Sequence, residues 1–143
     1  MMNNFKKTTQ SFVVICGSVF MLVSCADTKK QEKDALSEVI KIHDEAMVTD
    51  EKLMHNKILL DSLLKAKAIP DVKGSVTELS KDLDAADKAM EDWMHQFEVE
   101  HPGKSHEQIM QYMADQKKQI DQVNKQLSEA VKQSNQFIST IKQ

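Results

Sequence analysis

The chain has 143 residues, a formal net charge of −3, and only three glycines and two prolines, which predicts one small domain with few turns. Its 19 basic residues are all lysines. Since phosphate and nucleic-acid recognition relies heavily on the bidentate guanidinium group of arginine, this composition argues against a nucleic-acid partner.

The N-terminal segment has the pattern of a bacterial lipoprotein signal peptide. Lys6 and Lys7 precede an apolar stretch, which is too short to span a bilayer and ends in LVSC at residues 22–25. LVSC matches the lipobox, in which a cysteine follows a small residue. We therefore expect residues 1–24 to be removed and Cys25 to carry lipid. An ordinary signal peptide or a plain membrane anchor is the alternative.

Lipidation at Cys25 has three consequences for the mature chain. Cys16 is lost with the signal peptide, so no free thiol remains for catalysis. The acyl chains would anchor the protein to a membrane of the cell envelope. By analogy with the sorting rule of Gram-negative lipoproteins, Ala26 after the cysteine favours the outer membrane. Residues 25–33 lack apolar periodicity and are predicted to form a lipidated tether.

Two groups of helix-breaking residues divide the rest of the chain, residues 34–143. The segments IPDVKGSVTE and EHPGKSHEQ each place a proline and a glycine ahead of an S-x-x-E or S-x-x-Q capping box. Three helices are therefore predicted, at about 34–68, 76–99 and 105–141. Since short connections favour antiparallel neighbours, we expect an all-α, up-down-up three-helix bundle that resembles a coiled coil.

Apolar residues at steps of three and four predict the buried face of each helix. In the second helix this row is Val76, Leu79, Leu83, Ala86, Met90, Trp93 and Phe97. In the third it is Met113, Ile120, Val123, Leu127, Ala130, Phe137 and Ile141, with polar members at Gln116 and Ser134. In the first it is Leu36, Val39 or Ile40, His43, Met47, Leu53 or Met54, Ile58, Leu60 and Leu64. A kink or break is expected at VTD, residues 48–50.

The third helix is predicted to be longer than the second, so its end, SNQFISTIKQ, can overhang the bundle. Phe137 and Ile141 are the predicted partner-facing residues of this end, for another envelope protein or a second copy. Fraying in solvent is the alternative.

His43 and Met47 lie four residues apart in IHDEAM, on one side of the first helix. If facing residues sum to about 144 across the first hairpin and about 204 across the second, His43 is level with His101 and Met47 with His106. Imidazole and thioether ligands suit copper, so these four residues form a candidate copper site. The alternatives are methionine as ordinary core filler, His43 as a buried hydrogen-bonded residue, and hydrated loop histidines.

The sequence gives little support for catalysis. Glu91 and Asp92 suggest an acid–base pair, but adjacent residues point about 100° apart on a helix, so a solvated surface is favoured. The sequence has no Ser-His-Asp pattern and no glycine-rich phosphate loop. We therefore expect a protein that is not an enzyme.

Several of these segments together resemble a family. LVSC, IHDEAM, ADKAMEDWMHQF and the Gln/Lys-rich third helix are similar to small helical lipoproteins of Bacteroidota, which are often labelled "viral A-type inclusion protein". That resemblance implies a membrane-anchored helical bundle and no assigned activity. A proline often follows the methionine of the first helix in that family, whereas this chain has MVTDEKL.

The function expected from the sequence is a non-enzymatic, lipid-anchored interaction or structural module of the cell envelope. It needs no cofactor besides the lipid on Cys25. A periplasmic copper-binding protein is the main alternative, and a small-ligand carrier in the methionine-rich half of the bundle is the other.

Overall fold

The chain folds into three helices that pack against one another. The computed structural model describes residues 20–66 and 73–141, with side chains described for 27–65 and 73–141. The helices are α1 (Phe20–Ala66), α2 (Lys73–Gln96) and α3 (His106–Ile141). Each helix contacts the other two, and the described residues contain no strand. The predicted all-α three-helix bundle is confirmed.

The direction of the helices follows from contacts between them. Glu32 meets His106 and Glu38 meets Lys117, so residue numbers rise together along α1 and α3, which are parallel. Lys57 of α1 pairs with Asp84 of α2, and His43, earlier in α1, stacks on Trp93, later in α2. Residue numbers therefore fall along α2 as they rise along α1, so α2 runs antiparallel to both parallel helices, in the up-down-up order.

The first helix begins much earlier than predicted. It starts at Phe20, and residues 25–33, expected to be a tether, are helical. A Lys30–Asp34 ion pair one turn apart supports this segment, and Glu32 fixes it to α3. The absence of an apolar row therefore did not prevent helix formation, because polar contacts hold the segment.

The expected signal peptide is only partly within the described residues. Residues 1–19 lie outside them, and residues 20–26 are described by their backbone alone. No helix of the described part has a stretch long and apolar enough to cross a membrane.

The predicted break at residues 48–50 is absent, because α1 continues through them. The hydroxyl of Thr49 donates a hydrogen bond to the carbonyl of Glu45 one turn earlier. Two β-branched residues cost a helix only about 0.5 kcal/mol each, which packing of the neighbouring turns offsets.

The two predicted capping boxes have different outcomes. At α3 the amide of Ser105 donates to Gln108 Oε1 at 2.9 Å, and the amide of Gln108 donates to Ser105 Oγ at 3.3 Å. This reciprocal pair confirms the second capping box. At α2 the helix already begins at Lys73, so Ser75 lies inside the first turn and the predicted start at residue 76 is wrong.

The buried face of α2 is the predicted one, but that of α1 is different. Val76, Leu83, Ala86, Met90 and Trp93 are buried, with Leu79 and Phe97 partly buried against them. In α1 the buried apolar residues fall at intervals of seven: Val39, Ala46, Leu53 and Leu60. Of the alternatives Leu53 and Met54, Leu53 is buried and Met54 is 42% exposed, and Ile58, predicted to be buried, is 62% exposed. The apolar residues of α1 surround much of the helix, and only the neighbouring helices select the face.

The predicted overhang of the last segment is wrong. Asn56 of α1 bonds to Ser134, so the last turns of α3 lie beside the last turns of α1. Ile138 is buried, Phe137 packs against the core, and Ile141 is partly buried. Phe137 therefore belongs to the edge of the bundle core, and the partner-facing role of Phe137 and Ile141 stays a prediction.

Candidate functional site

A row of five rings crosses the bundle near the end of α2. His43 stacks on Trp93 with centroids 5.6 Å apart, and Trp93 stacks on Phe97 at 4.8 Å. Phe97 faces Tyr112 at 6.3 Å, and the edge of His101 meets Tyr112 at 4.6 Å. These contacts join all three helices and the α2–α3 connection.

Tyr112 is the centre of the contacts that hold the α2–α3 connection. Its hydroxyl accepts a 2.7 Å hydrogen bond from the amide of Glu98, just beyond the end of α2. The ammonium group of Lys104 lies 5.5 Å from its ring centroid, within cation–π range. Gly103 adopts a φ of +79°, a conformation that side chains rarely tolerate. The connection is thus fixed by one tyrosine and one glycine turn.

The three histidines of the candidate copper site have different surroundings. His43 Nδ1 lies 3.1 Å from Asp44 Oδ1, and His106 Nδ1 lies 2.8 Å from Glu32 Oε1. Both ring nitrogens of His101 are buried and have no hydrogen-bond partner among the described residues. Of the alternatives, the His43 arrangement matches a part-buried imidazole bonded to a carboxylate.

The structure does not bring the four predicted copper ligands together. His106 is level with Glu32, which precedes His43 by eleven residues, or about 16 Å along α1. Met47 lies one further turn away. Among the described residues, no group of three or more His, Cys, Asp or Glu side chains is placed to hold a metal. Copper binding stays a prediction, without a preassembled site in the described part of the chain.

The predicted helix register explains this difference. The two hairpin sums, about 144 and about 204, imply that α1 and α3 residues at one level differ by about 60. The observed pairs differ by 74 for Glu32 and His106, by 78 for Asn56 and Ser134, and by 79 for Lys117 and its partner on α1. The errors in the predicted register of the two hairpins therefore add. They separate side chains of α1 and α3 that the predicted register places at the same level.

A charged cluster lies between α1 and α2. Lys57 Nζ binds Asp84 at 2.8 Å and Asp87 at 2.9 Å, and the hydrogen bond to Asp84 is the main cause of a raised pKa for Lys57. Asp50 Oδ1 is buried with no hydrogen-bond partner in the described structure. Burial, and then the charge of Asp87, raise the pKa of the Asp50 carboxyl. Nothing in the sequence pattern indicated this cluster.

A buried polar layer joins α1 to α3. Asn56 Nδ2 donates to Ser134 Oγ at 2.8 Å and to Asn135 Oδ1 at 3.0 Å. Ser134 Oγ donates in turn to the carbonyl of Ala130 at 2.8 Å. The sequence predicted that Ser134 lies on the buried face of the third helix. It did not indicate Asn56, although Asn56 lies three residues after Leu53 on the buried face. Such a polar pair favours one helix register over others.

The acidic pair in MEDWMHQF is part of the solvated surface of α2. Glu91 and Asp92 are both exposed, and Asp92 forms a 2.8 Å ion pair with Lys88 one turn earlier. The interpretation of these residues as a helix surface therefore fits the structure better than an acid–base pair.

A shallow groove of about 430 Å³ lies between the start of α1 and the α2–α3 connection. Leu36, Val99 and Ile109 form its apolar floor, and Lys29 and Lys33 lie at its rim. It is partly open to solvent, whereas typical small-molecule sites bury most of the ligand surface. This geometry gives little support to the small-ligand carrier.

Comparison with known proteins adds no relative. No family model matches the chain, and neither the curated proteins nor the solved structures contain a match. A function is therefore proposed from the contacts and sequence patterns of the chain itself.

Proposed function

We propose that this protein is a lipid-anchored, non-enzymatic helical module of the bacterial cell envelope, which acts by binding other envelope components. The observation that carries the proposal is LVSC at residues 22–25, at the end of a charged and then apolar N-terminal segment. The resemblance to small helical lipoproteins of Bacteroidota agrees with it, and Ala26 supports an outer-membrane location.

The backbone of α1 is consistent with an anchor at Cys25. The helix is continuous from Phe20 through Cys25 to Ala66. A lipid at this position would therefore be joined to the bundle by a helix instead of a flexible tether, and it would limit the orientations of the bundle at the membrane. Because side chains fill the bundle interior, its outer surfaces are the parts available to a partner.

Lipidation is tested by metabolic labelling with an alkyne-tagged fatty acid in a bacterial host that processes lipoproteins. We expect the wild-type chain to incorporate the label and to sediment with membranes. Cys25→Ala should abolish the label, because no other residue of the lipobox can form the thioether.

Cys16→Ala is the matched control, since it removes the other cysteine of the chain. This variant should keep the label and the membrane location. Label retained in Cys25→Ala, or lost only in Cys16→Ala, would refute the assignment of the anchor. Mass spectrometry of the mature N-terminus then reports whether cleavage falls before Cys25.

A further inference from the structure

α1 carries a line of apolar side chains on its outer surface. Ile40, Met47 and Met54 follow one another at intervals of seven residues, so they lie along one side of the helix. Ile40 is 37% exposed and Met54 is 42% exposed, whereas Met47, between them, is partly buried and packs against the core. We name these three residues the outer apolar row. It extends for about 21 Å of helix.

The contacts between α1 and α2 place this row beside the line along which the two helices meet, and we call the surface along that line the α1–α2 groove. Lys57 follows Met54 by three residues and binds Asp84 of α2. At the other end of the row, His43 follows Ile40 by three residues and stacks on α2. Ile40 and Met54 each precede a residue that contacts α2 by three positions. The outer apolar row is therefore next to the residues that contact α2, on the side that faces solvent.

The opposite wall of the groove is acidic. Asp84, which faces α1 through Lys57, is followed seven residues later by Glu91, and Glu98 lies just beyond the end of α2, where its amide donates to the Tyr112 hydroxyl. All three are exposed, and among the described residues neither Glu91 nor Glu98 forms an ion pair. Met94, 43% exposed, lies between them. We name the three carboxylates the acidic row.

We propose that this groove binds a basic amphipathic helix of a partner protein. Such a helix would place its apolar residues on the outer apolar row and its lysines or arginines against the acidic row. Methionine side chains suit this task because they adapt to different apolar surfaces. The inference rests on the proposed role as an envelope interaction module, and it specifies the partner's chemistry.

A second copy of the chain satisfies only half of this requirement. Lys118, Lys125 and Lys132 are exposed on α3 at intervals of seven and would match the acidic row. However, the described part of α3 has no exposed large apolar side chain, so it would leave the outer apolar row uncovered. The charge and the apolar pattern together favour a different helix, with both properties.

The test uses the full-length protein in a non-ionic detergent and a labelled peptide of about 21 residues, with leucines and lysines in three amphipathic heptads. Fluorescence anisotropy should show saturable binding that weakens as salt rises. One control peptide has glutamate in place of lysine, and another has the same composition in a scrambled order. Neither should bind with comparable affinity.

Two matched protein variants separate this groove from general charge attraction. Glu91→Lys reverses one charge in the acidic row, and Glu129→Lys makes the same change at an exposed position of α3. We expect the affinity to fall about five- to tenfold in the first and less than about twofold in the second. Met54→Gln should also weaken binding. All three residues are exposed, so circular dichroism should show unchanged folding.

Equal affinity for the scrambled peptide, an equal loss in Glu129→Lys, or no saturable binding would overturn the proposal. Self-association through this groove that excludes the peptide would also overturn it and assign the surface to a second copy. The lipid label on Cys25 is measured separately. If the peptide does not bind but the wild-type chain incorporates the lipid label, the groove proposal fails and the proposed function stands. If the peptide binds but the wild-type chain does not incorporate the label, only the anchor is refuted.

Discussion

The parallel register of α1 and α3 can be tested through the buried pair Asn56 and Ser134. Asn56 is 4% exposed and Ser134 is fully buried, so neither polar group can exchange its partner for bulk water. We propose a double-mutant cycle of Asn56→Ala, Ser134→Ala and the double variant, measured in a soluble form that begins at residue 26.

The expected magnitudes follow from the hydrogen bonds. A buried hydrogen bond contributes about 1 kcal/mol. Asn56→Ala removes the bonds to Ser134 and to Asn135, so the free energy of unfolding should fall by about 2 kcal/mol. Ser134→Ala removes the bond from Asn56 and its own bond to the Ala130 carbonyl, so we expect about 1–2 kcal/mol. The bond at 2.8 Å is shared, so the double variant should lose about 1 kcal/mol less than the sum.

Urea unfolding followed by circular dichroism measures these free energies. The control pairs Asn56→Ala with Ser128→Ala, the same serine change at an exposed position of α3, and should be additive within about 0.5 kcal/mol. A coupling below about 0.3 kcal/mol between Asn56 and Ser134 would mean that the two residues do not meet. The offset between α1 and α3 would then be wrong.

Other predictions concern single residues and the metal. Burial, followed by the charge of Asp87, raises the pKa of Asp50, so this group stabilises the fold less as the pH rises from about 3.8 through its folded pKa. We expect Asp50→Asn to raise Tm at neutral pH and to flatten its dependence on pH; an unchanged profile would contradict this. Ser105→Ala removes the capping box of α3 and should cost about 0.5–2 kcal/mol in urea unfolding, whereas no loss would deny the cap a role. Leu53→Ala should cost about 2–5 kcal/mol and Met54→Ala less than about 1 kcal/mol, because only Leu53 is buried; equal losses would contradict the assigned face of α1. Titration of the soluble form with Cu(I) should show no binding tighter than micromolar, because the four predicted ligands are apart; tighter binding would restore the copper hypothesis.

The second helix shows how far local pattern can predict structure. Its large apolar residues fall on one face, with Met94 as the exception, so the buried set from Val76 to Trp93 follows from spacing alone. In α1 the apolar residues fall on more than one face, and Leu53 and Met54 are equivalent by pattern. Their burial differs because Leu53 faces the other two helices and Met54 faces outward.

The candidate site was predictable only in part. Trp93 and Phe97 were predicted to be buried, and the structure adds that they stack between His43 and Tyr112. The outer apolar row could not be identified from spacing, because the same interval of seven is typical of a buried row. Exposure distinguishes the two, and exposure depends on where the neighbouring helices lie.

The sequence by itself determined the number of helices, the cap of α3, the buried face of α2 and the expectation of a lipid at Cys25. Each of these depends on residues close together in the chain, whose spacing has a direct physical meaning. The tertiary structure alone decided the level of α3 beside α1, and with it the pairing of His106 with Glu32. That level depends on both connections and on the packing of the whole bundle, where a buried pair such as Asn56 and Ser134 selects one register from many that the apolar pattern permits.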